Sequence, residues 1–181
     1  MKYASQVLMD EHEGILLGLK ILEKMVDLVR EGKKVENSGI EEMIEFFRLF
    51  ADKCHHGKEE DLMFPAMEKA GIPKEGGPIG QMLFEHKEGR KHITEMAVSI
   101  EGGTLKRDKF IQAAENYITL LRAHIDKENK VLFPMGDQLI SGDQQKLLLE
   151  QFEKFEEEVM GRGTHEKFHS LLHDFEVRYL K

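Results

Sequence analysis

The sequence predicts an all-α fold, an up-down-up-down four-helix bundle with two additional C-terminal helices. Three observations predict it. Apolar residues recur at three- and four-residue steps along most of the chain. Glycine and proline punctuation divides the chain into segments of similar length. No stretch alternates as a half-buried strand would.

The first segment carries Leu8, Ile15, Leu19, Leu22, Val26 and Val29 on one stripe, and Gly32 with Lys33-Lys34 ends it. Ser38 and Glu41 form a capping-box pattern that opens the second. Its stripe runs Ile44, Phe47, Ala51, Leu62 and Phe64, where Pro65 breaks or kinks it. After the turn-rich residues 71–77, Pro78 suits the first position of a third helix. That helix carries Ile79, Met82, Leu83, Ile93, Ala97 and Ile100 before Gly102-Gly103. The fourth follows Thr104 and runs through Phe110, Ala114, Tyr117 and Leu121 to Val131, with Pro134 near its end. Two shorter helices follow Ser141, paired with Gln144 in a second capping box, and Thr164. Short connections favour antiparallel neighbours. A single domain over residues 1–181 is expected, with the bundle at about 5–135 and accessory helices at about 141–180.

Composition narrows the function. A charged fraction of 33% beside 40% hydrophobic residues suits amphipathic helices with solvated outer faces. The net charge of -8, with lysines and arginines scattered among glutamates, excludes a basic stripe for nucleic acid. The lone Cys54 forms no intramolecular disulfide and reads as a small buried hydrophobe. No signal-like run opens the chain and no segment has the length of a membrane span, so a cytoplasmic protein without a membrane partner is expected.

Polar residues interrupt the apolar stripes at informative places. His12 falls between Leu8 and Ile15, and His86 between Leu83 and Ile93. His55 with Glu59 continues Phe47 and Ala51 toward Leu62; His124 with Glu128 continues Tyr117 and Leu121 toward Val131. One histidine on such a face is ordinarily a core residue with a satisfied hydrogen bond. A glutamate there is different, because an ionised buried carboxylate demands a proton, a cation or a metal. His12 and His86 each follow their helix start by about eight residues, roughly 12 Å along the axis, and His55 and His124 each precede a proline by about ten. In an alternating bundle all four histidines then share one layer.

The chain also repeats itself. Glu11-His12-Glu13-Gly14 is similar to Glu85-His86-Lys87-Glu88-Gly89, and both His55 and His124 open the pattern H-x-x-K-E-x-x-x-[ML]-F-P. Two half-sites supply four imidazoles and two carboxylates, the donor set of a dinuclear iron or manganese centre in a helical bundle. Structural zinc sites ordinarily use cysteines or close with four ligands, which makes zinc the poorer match.

Over about residues 5–135 these motifs resemble the hemerythrin-like family, the HHE cation-binding domain. Its pattern of a lone histidine, H-x-x-x-E, a lone histidine and H-x-x-x-E is matched by His12, His55/Glu59, His86 and His124/Glu128. The flanking Phe-Pro pairs and Glu-His-x-x-Gly-Arg at 85–90 add to the match. The resemblance implies two iron ions joined by an oxo or hydroxo bridge, with His12 and His55 on one, His86 and His124 on the other, and Glu59 and Glu128 between. It departs at Arg90, where the oxygen carriers place a second histidine, and at Glu128, where they place an aspartate one residue later. One iron is then short of a ligand, or recruits another.

His165 and His169, on the apolar face of the last helix, are candidates for that position, or packing histidines. His56 lies about 100° from His55 on an α-helix and is expected beside the site or in solvent, as is Glu60. His56→Ala is therefore expected to leave iron intact. Arg90 is a candidate hydrogen-bond partner of the carboxylates. His173 and His92 are expected toward solvent. The resemblance implies a protein that binds or senses dioxygen, nitric oxide or peroxide. The alternatives are an enzyme that decomposes peroxide or reduces nitric oxide, and an iron storage or delivery protein. No protein partner is indicated.

Overall fold

The computed structural model describes residues 2–181. It is all-helical, with no strand among the described residues. We number the helices α1 (Ala4–Arg30), α2 (37–69), α3 (Pro78–Ile100), α4 (107–139), α5 (Gly142–Met160) and α6 (Thr164–Leu180). No described helix is long and apolar enough to cross a membrane.

Helix ends follow local chemistry in some places and tertiary contacts in others. Ser141 caps α5 by accepting from the Gln144 amide. Tyr3 offers α1 no side-chain cap, and the free amide of Ala4 donates instead to Gln145 Oε1 at 2.9 Å. The capping box expected at Ser38 does not form: α2 begins at Asn37, which places Ser38 inside the first turn. Pro78 opens α3 as expected.

Neither Pro65 nor Pro134 ends its helix. Each lacks the amide proton for the carbonyl four residues back, and its ring crowds that carbonyl. The segments just before them, Glu59–Met63 and Glu128–Leu132, wind as π-helix, and the chain then continues as Phe64–Lys69 and Phe133–Leu139. A wider i→i+5 turn absorbs the defect. A longer π segment, Phe47–His56, precedes the first of these in α2.

α3 packs along α4, α1 packs on α4, α6 lies along α1, and α5 crosses the π segments of α2. Their apolar faces form two separate clusters. Along α1 the smaller cluster holds Leu8 and the larger Ile15; along α3 they hold Met82 and Ile93. Along α2 the larger holds Cys54 and the smaller Met63; along α4 they hold Ile125 and Leu132. The polar residues singled out above occupy the gap on all four helices.

α1 and α2 meet closely at Gly18. A Cβ there would lie 2.6 Å from the Phe46 ring and 3.3 Å from that of Phe47. Phe46 stacks on Phe50 at 5.2 Å and meets Phe168 edge-on, so its ring has little room to yield. Gly18→Ala should destabilise the fold by about 1–3 kcal/mol through overpacking. The sign is diagnostic, because alanine ordinarily stabilises a helix by roughly 0.5–1 kcal/mol over glycine. Denaturant unfolding reads it; a more stable variant would show that this contact does not set the distance between α1 and α2.

Candidate metal centre

His12, His55, Glu59, His86, His124 and Glu128 converge in the gap between the clusters, and none is more than 1% exposed. Their donor atoms, with one further residue, fall into two groups: His12, His55, Glu59 and Glu128, and His56, Glu59, His86 and His124. Each carboxylate divides its oxygens between the groups. Glu59 Oε1 lies 3.2 Å from His55 Nε2 and its Oε2 lies 3.1 Å from His86 Nε2. Glu128 Oε2 lies 3.1 Å from His12 Nε2 and its Oε1 lies 3.1 Å from His124 Nε2.

The further residue is His56, expected from the sequence beside the site or in solvent. It is buried, with its ring stacked on that of His86 at 3.8 Å. The 100° separation assumed for His55 and His56 holds in an α-helix, but both belong to the π segment Phe47–His56. Its wider turn lets adjacent residues face inward together, as Phe50 with Ala51 and His55 with His56 do. His56 supplies an imidazole to the group that lacks a second histidine from α3.

Arg90, which stands in place of that histidine, does not touch Glu59 or Glu128. Its Nε donates to both oxygens of Asp52 (2.9 and 3.0 Å) and its Nη2 to Glu60 Oε1 (2.7 Å). Those same two residues accept from His56 Nδ1 (3.2 Å) and His86 Nδ1 (2.9 Å). One guanidinium thus fixes the acceptors that orient two imidazoles. His165 and His169 join neither group. Phe168, Leu172 and Phe175 seat α6 in the larger cluster, which leaves the two histidines at a separate cleft beside Glu156. His173 is exposed as expected, whereas His92 is half-buried and bonds Glu95.

The remaining three imidazoles are held in the same manner. His55 Nδ1 donates to Glu11 Oε2 (2.7 Å), His124 Nδ1 to Glu85 Oε1 (3.1 Å) and His12 Nδ1 to the Asn129 side-chain oxygen (2.7 Å). An oxygen acceptor at every Nδ1 places the proton there and turns Nε2 inward. Lys58 pairs with Glu11 and Lys127 with Glu85. The internal repeat explains this pattern. Glu11 and Glu85 each precede a lone histidine, Lys58 and Lys127 each precede a glutamate, and Glu60 and Asn129 each follow one. Sequence reasoning missed Glu11, Glu85, Lys58, Lys127 and Asn129, although the repeat that carries them was in view. Asp52 has no counterpart in the repeat and no signal pointed to it.

The electrostatics express a need for positive charge. Burial opposes a charge on His55 and His124, but Glu59 and Glu11 lift the former to about 10, and Glu128 and Glu85 lift the latter to about 10. Burial and the neighbouring Glu59 oppose ionisation of Glu128, yet His124 and His12 hold its carboxyl down at about 2. Burial and the adjacent His86 push His56 down to about 3, which keeps its ring neutral. Burial pushes the Cys54 thiol up to about 12, and it joins neither group.

These donors fit a bound cation. His12 Nε2, His55 Nε2 and all four oxygens of Glu59 and Glu128 are buried without a hydrogen-bond partner. Leaving such atoms unsatisfied costs about 1–3 kcal/mol each, more when charged. His86 Nε2 and His124 Nε2 face each other at 3.2 Å, two like groups that a shared cation would hold apart. A cation facing these atoms would satisfy them together.

A helical protein that turns histidines and glutamates inward around two buried points has the donor set of a metal-binding protein. This chain belongs to the hemerythrin family: the model of the hemerythrin HHE cation binding domain matches residues 4–136. The match spans every donor of both groups, and α5 and α6 lie beyond it. No match was found among curated proteins or among solved structures.

Because a cation binds the folded layer and not the dispersed chain, chelation should lower the melting temperature. A cation at 100 times its Kd contributes roughly 2.7 kcal/mol to the folded state. Calorimetry with and without chelator measures this; identical curves would mean that no cation is held in the fold.

Proposed function

We propose that this is a non-haem di-iron protein that binds or senses a small reactive molecule: dioxygen, nitric oxide or peroxide. One observation carries the reading. Glu59 and Glu128 each aim one oxygen at either histidine group, the arrangement of two carboxylates bridging two ions. His12 and His55 would hold the first ion; His56, His86 and His124 would hold the second. Grouping the start of α1, the end of α2, the start of α3 and the end of α4 in the smaller cluster supports the up-down-up-down bundle that such a centre needs.

Donor chemistry favours iron. Imidazoles and bridging carboxylates without thiolate suit iron or manganese better than structural zinc. When bound, iron would supply the redox and ligand-binding chemistry. The chain contributes the rest. Residues Glu11, Asp52, Glu60, Glu85 and Asn129 orient the imidazoles by accepting at Nδ1. Phe133 stacks on His12 at 5.6 Å and Phe64 on His86 at 5.9 Å, which keeps water from the layer. The first position has one imidazole fewer and so more room for an external ligand. Burial of every donor restricts that ligand to a molecule of a few atoms.

Metal analysis of anaerobically purified protein, followed by optical spectra on adding dioxygen, nitric oxide or peroxide, tests the proposal. Two irons per chain and a persistent charge-transfer band are expected. A band that decays while many equivalents of peroxide disappear would assign turnover instead, and zinc as the native metal would overturn the reading. His55→Ala and Glu128→Ala should each reduce iron content sharply. His56→Ala should deplete the second position selectively, the reverse of the expectation from sequence. Normal iron in that variant would remove His56 from the ligand set.

A further inference from the structure

One pair of histidines lies outside the centre. His165 and His169 stand four residues apart on α6, so both project from the same face. Their Nε2 atoms approach to 2.7 Å with ring planes only 12° apart. Glu156, on α5, accepts from His165 Nδ1 at 2.6 Å. That bond fixes the tautomer that turns a lone pair of His165 toward His169, the arrangement in which a carboxylate prepares a histidine for a metal.

The pair borders a cleft of about 290 Å³ whose lining also includes Lys2, Asp10, Glu11 and Glu156, and the buried Lys58 pairs with both Glu11 and Glu156. Its inner wall is informative. Glu11, reached from this cleft, is the residue that accepts from His55 Nδ1 at 2.7 Å. A cation in the cleft is therefore one side chain away from the buried layer.

We propose that His165 and His169 form a second, exchangeable site for a divalent transition-metal cation, from which the buried centre is loaded. This role rests on the metal-centre reading above; the site itself does not. Two imidazoles bonded to one ion at about 2.0–2.1 Å stand roughly 2.8–3.4 Å apart, depending on the angle between them. The observed 2.7 Å needs only a small opening, and His169 is exposed and free to turn. Loss of the shared proton accompanies metal binding. Imidazole donors suit zinc, copper, nickel and iron. Two protein donors leave the other positions to water, so the ion is held weakly and can leave. Release inward is what a loading site requires.

Zinc alone, titrated into protein whose buried centre already holds iron, tests the site. One additional zinc per chain is expected for the wild type, lost in His169→Ala with iron content unchanged and kept in His173→Ala. Equal extra zinc in His169→Ala, or its loss in His173→Ala alone, would overturn the site. The loading role has its own readout: metal-free His169→Ala should take up ferrous iron several-fold more slowly but reach the same final content. Equal rates would overturn that role. If the wild type takes no iron into its buried layer, the di-iron reading fails, while the His169-dependent zinc is still read on the metal-free chain.

Discussion

Two ionised carboxylates, Glu59 and Glu128, sit fully buried at the middle of this protein, and the surrounding structure is an answer to their charge. Burying an ion costs several kcal/mol after relaxation unless opposite charge and hydrogen bonds meet it. Here five imidazoles surround the pair, and each is oriented by an oxygen acceptor at Nδ1. Four of those acceptors are held in turn by Lys58, Lys127 or Arg90. Charge alternates outward from the centre, and a cation bound there would complete it.

That layer divides the hydrophobic core in two. An unbroken apolar stripe on each helix would have given one cluster and a more stable metal-free protein. The chain instead interrupts all four stripes between the two clusters, and a cation held there would couple its binding to folding. The π segments serve the same end. They allow α2 and α4 to continue past Pro65 and Pro134, and they bring His56 to a face that α-helical winding would have denied it.

Much of this was legible in the amino-acid pattern, and the exceptions have physical causes. Leu8, His12 and Ile15, with the matching series on three other helices, revealed the layer because a helix period of 3.6 residues places them on one face. The repeated E-H and H-x-x-K-E segments held the acceptors and their lysines as well. His56 was hidden because the angular rule used for it presumes α-helix, whereas Phe47–His56 winds as π-helix. Ser38 misled for a similar reason, since a capping pattern reports local preference only. The stripe of Phe168, Leu172 and Phe175 marked the buried face of α6, but a stripe does not say which neighbour it meets. His165 and His169 therefore lie away from the centre.

In the proposed centre the gap between the two clusters would hold two ions with Glu59 and Glu128 between them and His56 on the second. Anomalous diffraction at the iron edge, from crystals of the iron-loaded protein, tests it most directly. Two peaks are expected between the glutamates, one bonded to Nε2 of His12 and His55 and the other to Nε2 of His56, His86 and His124. A single peak, or a second ion with His56 turned away from it, would rule out this centre.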